Sequence, residues 1–556
     1  MKRLIPKALL ILACICLAPL GLRAEVTNTA NTITEALITQ AYRQELLRNP
    51  ISSEFTSWTA KIQQDHFDPS KLRDVLRHSP EGWNVRHFRR GMIHKTLGVT
   101  LGMLGLLAGL ALATRSRGIP IPGIARATGI LLVFLLVSGV LINILLLYSD
   151  RFPALAYADD LFRNPTHLAD DSWQAIIAAA NEPFQPCGQS LYQLLLTNRN
   201  IKFQYPLTST LLVIPFRNGP ITGILNGLSF IAAWGIAMMT AFLFAQGLRL
   251  AVTGPPPAKP ATTKTVQRVW SLILFILAAG YTFTYFPILR GLLLGQVQTV
   301  IVALFCGALL SYVHGRKASA GVLIGLACTI KPQLGFLLLW GLLRKEFRFV
   351  GWALLTGAVM GVAAIGVYGL HNNLDYIRVL RFVGSHGEAY FANQSLNGLL
   401  NRAFFLGSNL DWDGVVYPAY NVWVSWGTSA GALGFALWAL LWKRPSSQRN
   451  DAALIGVDFA MAALAATLGA PIAWEHHYGL LLPMFALAFP LTLTIRDKAG
   501  LVLLALSFIL VSHFFIMANL LAETRLNVLQ SYIFFGGILF MIQLHRLRKN
   551  LALPAH

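Results

Sequence analysis

The sequence predicts an all-α polytopic membrane protein, and three observations carry that class. The chain is 55% hydrophobic and only 12% charged over 556 residues, with a mean hydropathy of +0.56. Its apolar runs recur at about 17–25 residues, the length a helix needs to cross a ~30 Å hydrocarbon core. Most of its Lys and Arg sit in short loops between those runs, where positive charge marks the cytoplasmic face. The net charge of +21 therefore reports topology. The basic residues do not cluster on a soluble domain, so nucleic acid is not an expected partner.

The first 24 residues, MKRLIPKALLILACICLAPLGLRA, combine a basic start, an apolar stretch and Leu22-Arg23-Ala24. That is the pattern of a secretory signal peptide, the alternative being an uncleaved first span. Either choice places residues 25–94 outside the cytoplasm. This segment is polar, with apolar and aromatic residues at helical spacing broken at Asn49-Pro50 and Asp68-Pro69. Its Tyr-Arg, Leu-Arg-x-Pro, Trp and Ser-Pro-Glu pattern resembles a small domain of unknown function found in bacterial S-layer and secreted proteins. A helical spacer is the other reading.

The membrane region, 95–545, opens with spans at about 96–113 and 127–148, joined by a loop bearing Arg115, Arg117 and Arg126. Residues 149–217 form a long outer loop rich in Asp and Pro. A span at about 221–247 returns to a basic, Pro-rich linker, and spans at 269–286 and 296–313 follow. The next segment is anomalous. It carries basic residues at both ends, Arg316-Lys317 and Arg344-Lys345, so both ends belong inside. With Lys331-Pro332 at its apex each leg is too short to cross upright. A short helical hairpin is expected, with Lys331 reaching a water-filled outer cavity.

Further spans are expected at about 349–369, 420–442, 452–470, 478–495, 499–520 and 527–543, before a cytoplasmic tail at 546–556. The sum is a bundle of about 11–13 transmembrane helices. Residues 149–217, 370–419 and 471–477 all face the outer side. The five cysteines show no CxxC pair and no even outer set, so neither a disulfide framework nor a structural zinc site is expected.

Polar groups inside or beside apolar segments are costly and default to function. The outer side gathers Asp150 at the end of a span, Asp170 and Asp171 in the long loop, and Phe203-Gln204-Tyr205-Pro206 closing it. It also gathers Gly295-Gln296, Lys331-Pro332, Asn393-Gln394-Ser395 with Arg402, and Pro471 followed by Trp474-Glu475-His476-His477. Each has a bland alternative. Ser395 caps helices as readily as it binds sugar, Gln296 suits a helix–helix hydrogen bond, and histidines at span ends snorkel. Glu475 with two histidines lacks a third ligand at readable spacing, so no metal is expected.

These five pieces, in this order, resemble glycosyltransferase family 87, a group of GT-C membrane enzymes, over residues 127–490. The resemblance implies a GT-C-like bundle in the inner membrane with its active site facing the periplasm. It implies transfer of a mannose-like hexose or a pentose from a polyprenyl-monophosphate donor to an envelope glycan or glycolipid. The lipid-linked sugar is a donor substrate, and no cofactor is implied. An acidic residue of the first outer loop would be the general base, Asp150 first because it follows a span, or Asp171 with Asp170 beside it. Lys331, Arg402 and a protonated His476 or His477 would neutralise the leaving phosphate. Tyr205, Gln296, Asn393, Gln394, Ser395, Trp474 and Glu475 would contact substrate. A transporter or lipid-linked sugar flippase, its path lined by the same groups, is the alternative.

Overall fold

The computed structural model describes residues 34, 37–42, 45–46, 50, 52–64, 67–68, 71–116, 123–146, 154–163, 169, 171–182, 190–199, 201–216, 221–251, 264–410, 412, 417–442 and 452–552. The signal segment 1–24, Asp150 and Asp170 lie outside the described residues. The contacts divide the chain into two units, 1–88 and 89–556.

In the first unit, α1 (Ser52–Gln64) and α2 (Leu72–His78) enclose a small core. Ile38, Tyr42, Leu46, Leu72 and Leu76 are buried there, with Trp58 and Phe67 packed against them. The Trp58 indole N–H donates to Tyr42 Oη at 2.9 Å, which satisfies the polar end of a half-buried aromatic. The Ser-Pro-Glu signal is a helix start. Ser79 Oγ accepts from Gly82 N–H at 3.1 Å, and Pro80 takes the first position of α3 (Pro80–Ser116).

The second unit is built of helices, with no strand among its described residues. It comprises α4 (Gly123–Leu146), α5 (Ala154–Arg163), α6 (Asp171–Asn181), α7 (Ile221–Ala251), α8 (Lys264–Thr284), α9 (Phe286–Leu293) and α10 (Gln298–Val313). It continues with α11 (Lys317–Ile330), α12 (Phe336–Leu343), α13 (Phe347–His386), α14 (Leu396–Ala403) and α15 (Val422–Leu440). It ends with α16 (Ala452–Leu468), α17 (Leu481–Thr494), α18 (Lys498–Ser512) and α19 (Tyr532–Leu551). The long helices leave large apolar side chains uncovered: Ile231 and Phe242 on α7, Leu354, Leu355, Val359 and Val362 on α13, Leu433 on α15. In water such faces would drive aggregation, whereas in lipid they are the expected exterior.

By length and composition four segments of the described residues can cross a membrane: Ile221–Ala251, Phe347–His386, Glu475–Thr494 and Asn527–Leu551. The pair Ser271–Thr284 and Phe286–Leu293, bent by 62°, makes a fifth when read as one broken span. Several other expected spans fold as apolar helices of 10–17 residues, among them Gln298–Val313, Ala452–Leu468 and Lys498–Ser512. A helix of 15–17 residues reaches only about 22–26 Å, short of an upright crossing.

The anomalous segment folds as two short helices whose ends return to one place. Lys317 Nζ meets Glu346 Oε2 at 2.5 Å, while α11 and α12 meet at Lys331-Pro332. A residue before proline is pushed out of the helical region, and proline has no N–H to continue the ladder. Lys331 accordingly sits at φ −138°, ψ 114°. The first leg lies very close to α13: a Cβ on Gly321 would fall 2.3 Å from the Phe349 carbonyl oxygen, and one on Gly325 2.8 Å from that of Ala353. Gly321-x-x-x-Gly325 is thus a small-residue seam between helices. The second helix of the pair is itself broken at Gly369, where the backbone leaves the helical region.

Below the hairpin, Asp458 is fully buried in α16. It accepts from Trp340 Nε1 at 3.1 Å, Arg344 Nε at 2.7 Å and Arg548 Nη1 at 2.9 Å. One carboxylate thereby ties α12, α16 and α19 together.

Candidate functional site

Eight separate stretches of sequence converge on a cavity of about 810 Å³ in the second unit. The first polar wall begins at the turn between α9 and α10. Gly295 takes φ +62°, while Gln296 N–H donates to Gly291 O and Gly295 N–H to Leu292 O. This is a Schellman ending with glycine at the left-handed position. It holds Gln296 against the start of α6. Gln296 Nε2 donates to Asp171 Oδ2 at 2.5 Å, and Ser172 Oγ donates to Gln296 Oε1 at 2.8 Å. Backbone N–H groups of Ala169 and Asp171 bond the last carbonyls of α9. Asp171, which lines the cavity, is therefore fixed by backbone and side chain together.

Lys331 reaches the same cavity from the hairpin apex. Its ammonium lies 3.1 Å from Gln298 Oε1 and 2.8 Å from His477 Nε2, and 5.5 Å above the Tyr205 ring. An ammonium only donates, so His477 Nε2 accepts and the ring is neutral, with its proton on Nδ1. Of the two alternatives the sequence left open, a protonated His476 or His477, this contact does not suit a protonated His477. Both hydrogen-bond acceptors of Lys331 are neutral, and an ammonium has three donors. The Asp171 carboxylate, on the same cavity, acts on this ammonium through space and not through a direct bond.

His476 also lines the cavity, its ring 5.8 Å from Trp474 and 4.8 Å from His477. The two histidines follow Trp474 in a 3-10 turn, Glu475–Leu480. Glu475 is buried outside the cavity lining, with Oε2 4.0 Å from Arg290 Nε.

Asn393, Gln394 and Ser395 do not line the cavity; they weld its rim. Asn393 Oδ1 accepts from Ala473 N–H at 3.0 Å, and its Nδ2 donates to the Glu388 and Pro471 carbonyls. Ser395 Oγ donates to Pro471 O at 2.9 Å and accepts from Gly398 N–H, capping α14. Gln394 bonds the Gln530 carbonyl and accepts from the Ile533 and Phe534 N–H groups at the start of α19. Two of the sequence signals, Asn-Gln-Ser and Pro-x-x-Trp-Glu-His-His, are thus two sides of one joint.

Arg402 stands apart as well. Its guanidinium is buried, donating to the carbonyls of Ala389, Tyr390 and Asn393 and, at 2.6 Å, to Ser531 Oγ. It supports the rim from behind.

Sequence reasoning passed over Lys202, Glu388 and Trp412, which also line the cavity. Glu388 pairs with Lys202 and accepts from Trp474 Nε1 at 2.6 Å. Their signal was present only as single residues in polar loops, where charge is the ordinary expectation.

The lining also has an apolar, small-residue part: Ala432 and Ala436 of α15, Ala465 and Ala466 of α16, then Gly469 and Ala470. Residues 203–472 match the model of glycosyltransferase family 87. The matched region belongs to that family. No curated protein and no solved structure matches the chain. The match supports the family 87 resemblance and, with it, a membrane glycosyltransferase. The match takes in Tyr205, Gln296, Lys331 and the rim motif. Asp171 precedes it and Trp474, His476 and His477 follow it, yet the cavity joins all of them.

Proposed function

We propose that the protein transfers a sugar from a polyprenyl-monophosphate donor to an envelope glycan or glycolipid at the outer face of the inner membrane. One observation carries this reading: a single cavity pairs a carboxylate and a neutrally caged ammonium with an apolar wall of small side chains. That combination suits an amphipathic donor, with its phosphate at Lys331 and its chain along α15 and α16. The sugar is a mannose-like hexose or a pentose, the chemistry requires no resident cofactor, and a GT-C-like bundle of about 11–13 helices houses it.

In the step itself, the acceptor hydroxyl oxygen bonds to the anomeric carbon as the bond from that carbon to the phosphate oxygen breaks. Its proton passes to Asp171, and the phosphate leaves with the bonding electron pair, its charge met by Lys331. The configuration inverts. Gln296 orients the base, and the neutral His477 orients the cation. Asp150 remains a rival for the base.

The test is purified protein with synthetic polyprenyl-phosphate sugars and extracted envelope glycolipids. Radiolabelled sugar appearing in the acceptor supports the reading. Movement of intact donor across vesicles without transfer would establish the flippase alternative instead.

A further inference from the structure

The cavity also carries the pair Lys202–Glu388, beside two indoles. Glu388 is buried, with one oxygen on the Lys202 ammonium and the other accepting from Trp474 Nε1 at 2.6 Å. Trp412 stands edge-on to Trp474 at 5.9 Å and is 45% exposed, so part of its surface is available to a ligand. Lys202 Nζ lies 5.9 Å from the Trp412 ring and 4.3 Å from that of Tyr417. Gln204 Nε2 donates to Tyr417 Oη at 2.8 Å.

The two polar groups of the cavity differ in how their charges are paired. At Lys331 the hydrogen-bonding partners are neutral, and the Asp171 carboxylate acts on the ammonium only through space. At Lys202–Glu388 the charges cancel, so no formal charge is left over for an ionic ligand. What this pair offers is hydrogen-bonding capacity and ring surface. A carboxylate oxygen with one donor keeps a second lone pair, and two oxygens side by side suit two vicinal hydroxyls. A half-exposed indole suits the C–H face of a pyranose, which is apolar where its rim is polar.

We propose that Glu388, Lys202, Trp412 and Trp474 form the acceptor subsite, and that it takes the neutral, hydroxyl-rich end of a glycan. This rests on the transferase reading above. An acceptor bearing a carboxylate or phosphate at that position would place its anion against Glu388 and be rejected. Selectivity between the two groups follows from how their charges are paired: the donor phosphate goes to the ammonium that no carboxylate bonds directly, the uncharged sugar to the direct ion pair.

The experiment uses the full chain in detergent micelles and two independent readouts. The first is binding to an array of neutral and acidic oligosaccharides, and the second is binding of a polyprenyl monophosphate. Wild type is expected to retain neutral glycans in preference to acidic ones. Trp412→Ala, at a half-exposed position, should weaken that binding by about tenfold. Glu388→Gln leaves Lys202 without its counter-charge, so the preference should shift towards acidic glycans. Lipid-phosphate binding reports that both variants are folded. Absence of glycan binding by wild type, a wild-type preference for acidic glycans, or Trp412→Ala binding like wild type would each overturn the subsite. Failure of wild type to bind the lipid phosphate counts against the donor reading instead, while the glycan array still decides the subsite.

Discussion

The Lys331 ammonium donates to Nε2 of His477 at 2.8 Å. A backbone break forced by Pro332 and a histidine 146 residues further along thereby share one proton arrangement. Because the ring must present a lone pair, His477 serves as the neutral orienting partner of the cation.

Replacing the cation is the direct test. Lys331→Met should abolish polyprenyl-phosphate binding, and Lys331→Arg should restore it in part, since charge persists with a different geometry. His477→Ala should weaken binding by freeing the ammonium, and His477→Gln, which can still accept, should weaken it less. Equal affinity in all four variants would reduce Lys331 to a structural cation. Binding can be followed by quenching of tryptophan fluorescence.

A second prediction separates base from positioner. Asp171→Asn should lower turnover by about 10²–10⁴ while donor affinity holds, because a base acts in the step and contributes little to ground-state binding. Gln296→Leu removes the amide that fixes the carboxylate, together with its bond from Ser172, and should cost about tenfold through lost orientation. Asp150→Asn belongs in the same series. Should it be inactive with Asp171→Asn active, the base is Asp150.

Much of this site was legible in the sequence because expensive residues are conspicuous in apolar surroundings. Lys331, Trp474, His476 and His477 stand out on that ground, and all line the cavity. The hairpin was legible too, since charge at both ends of a short apolar run leaves few alternatives. What sequence could not give was direction. Asn393, Gln394 and Arg402 are as conspicuous as Lys331, yet they face carbonyls that only the tertiary fold brings near. Glu388 was invisible for the converse reason, since a loop glutamate acquires meaning only when Lys202 and Trp474 arrive.

Asp458 should prove a stability residue with no part in transfer. Its carboxylate compensates Arg344 and Arg548, the latter fully buried. Asp458→Asn keeps the shape and removes the charge, leaving guanidinium groups uncompensated at a cost of about 3–5 kcal/mol. The expected outcome is a sharply lower thermal midpoint in detergent, with the surviving folded fraction retaining normal specific activity.

The last prediction concerns the seam that presents Lys331. Adding one methyl at Gly321 or Gly325 directs it into the backbone of α13, at 2.3 Å from the Phe349 carbonyl oxygen and 2.8 Å from that of Ala353. Neither neighbour is a flexible side chain that can swing aside, so the helices must separate. Gly321→Ala and Gly325→Ala should each cost about 1–3 kcal/mol, the range for overpacking. Gly351→Ala on the facing helix is the control: a Cβ there meets nothing within 4 Å, and relief of glycine's backbone entropy should stabilise α13 by about 0.5–1 kcal/mol. The functional consequence follows from lever geometry. Lys331 is the residue after α11 ends, so a shift of about 1 Å along the seam carries its ammonium away from Gln298 and His477, and misplacement of that size costs about 10²-fold in rate. The seam variants should therefore lose lipid-phosphate affinity and turnover together, while Gly351→Ala keeps both. Full activity in Gly325→Ala would mean that the position of Lys331 is set by its cage of acceptors and not by the packing of the hairpin on α13.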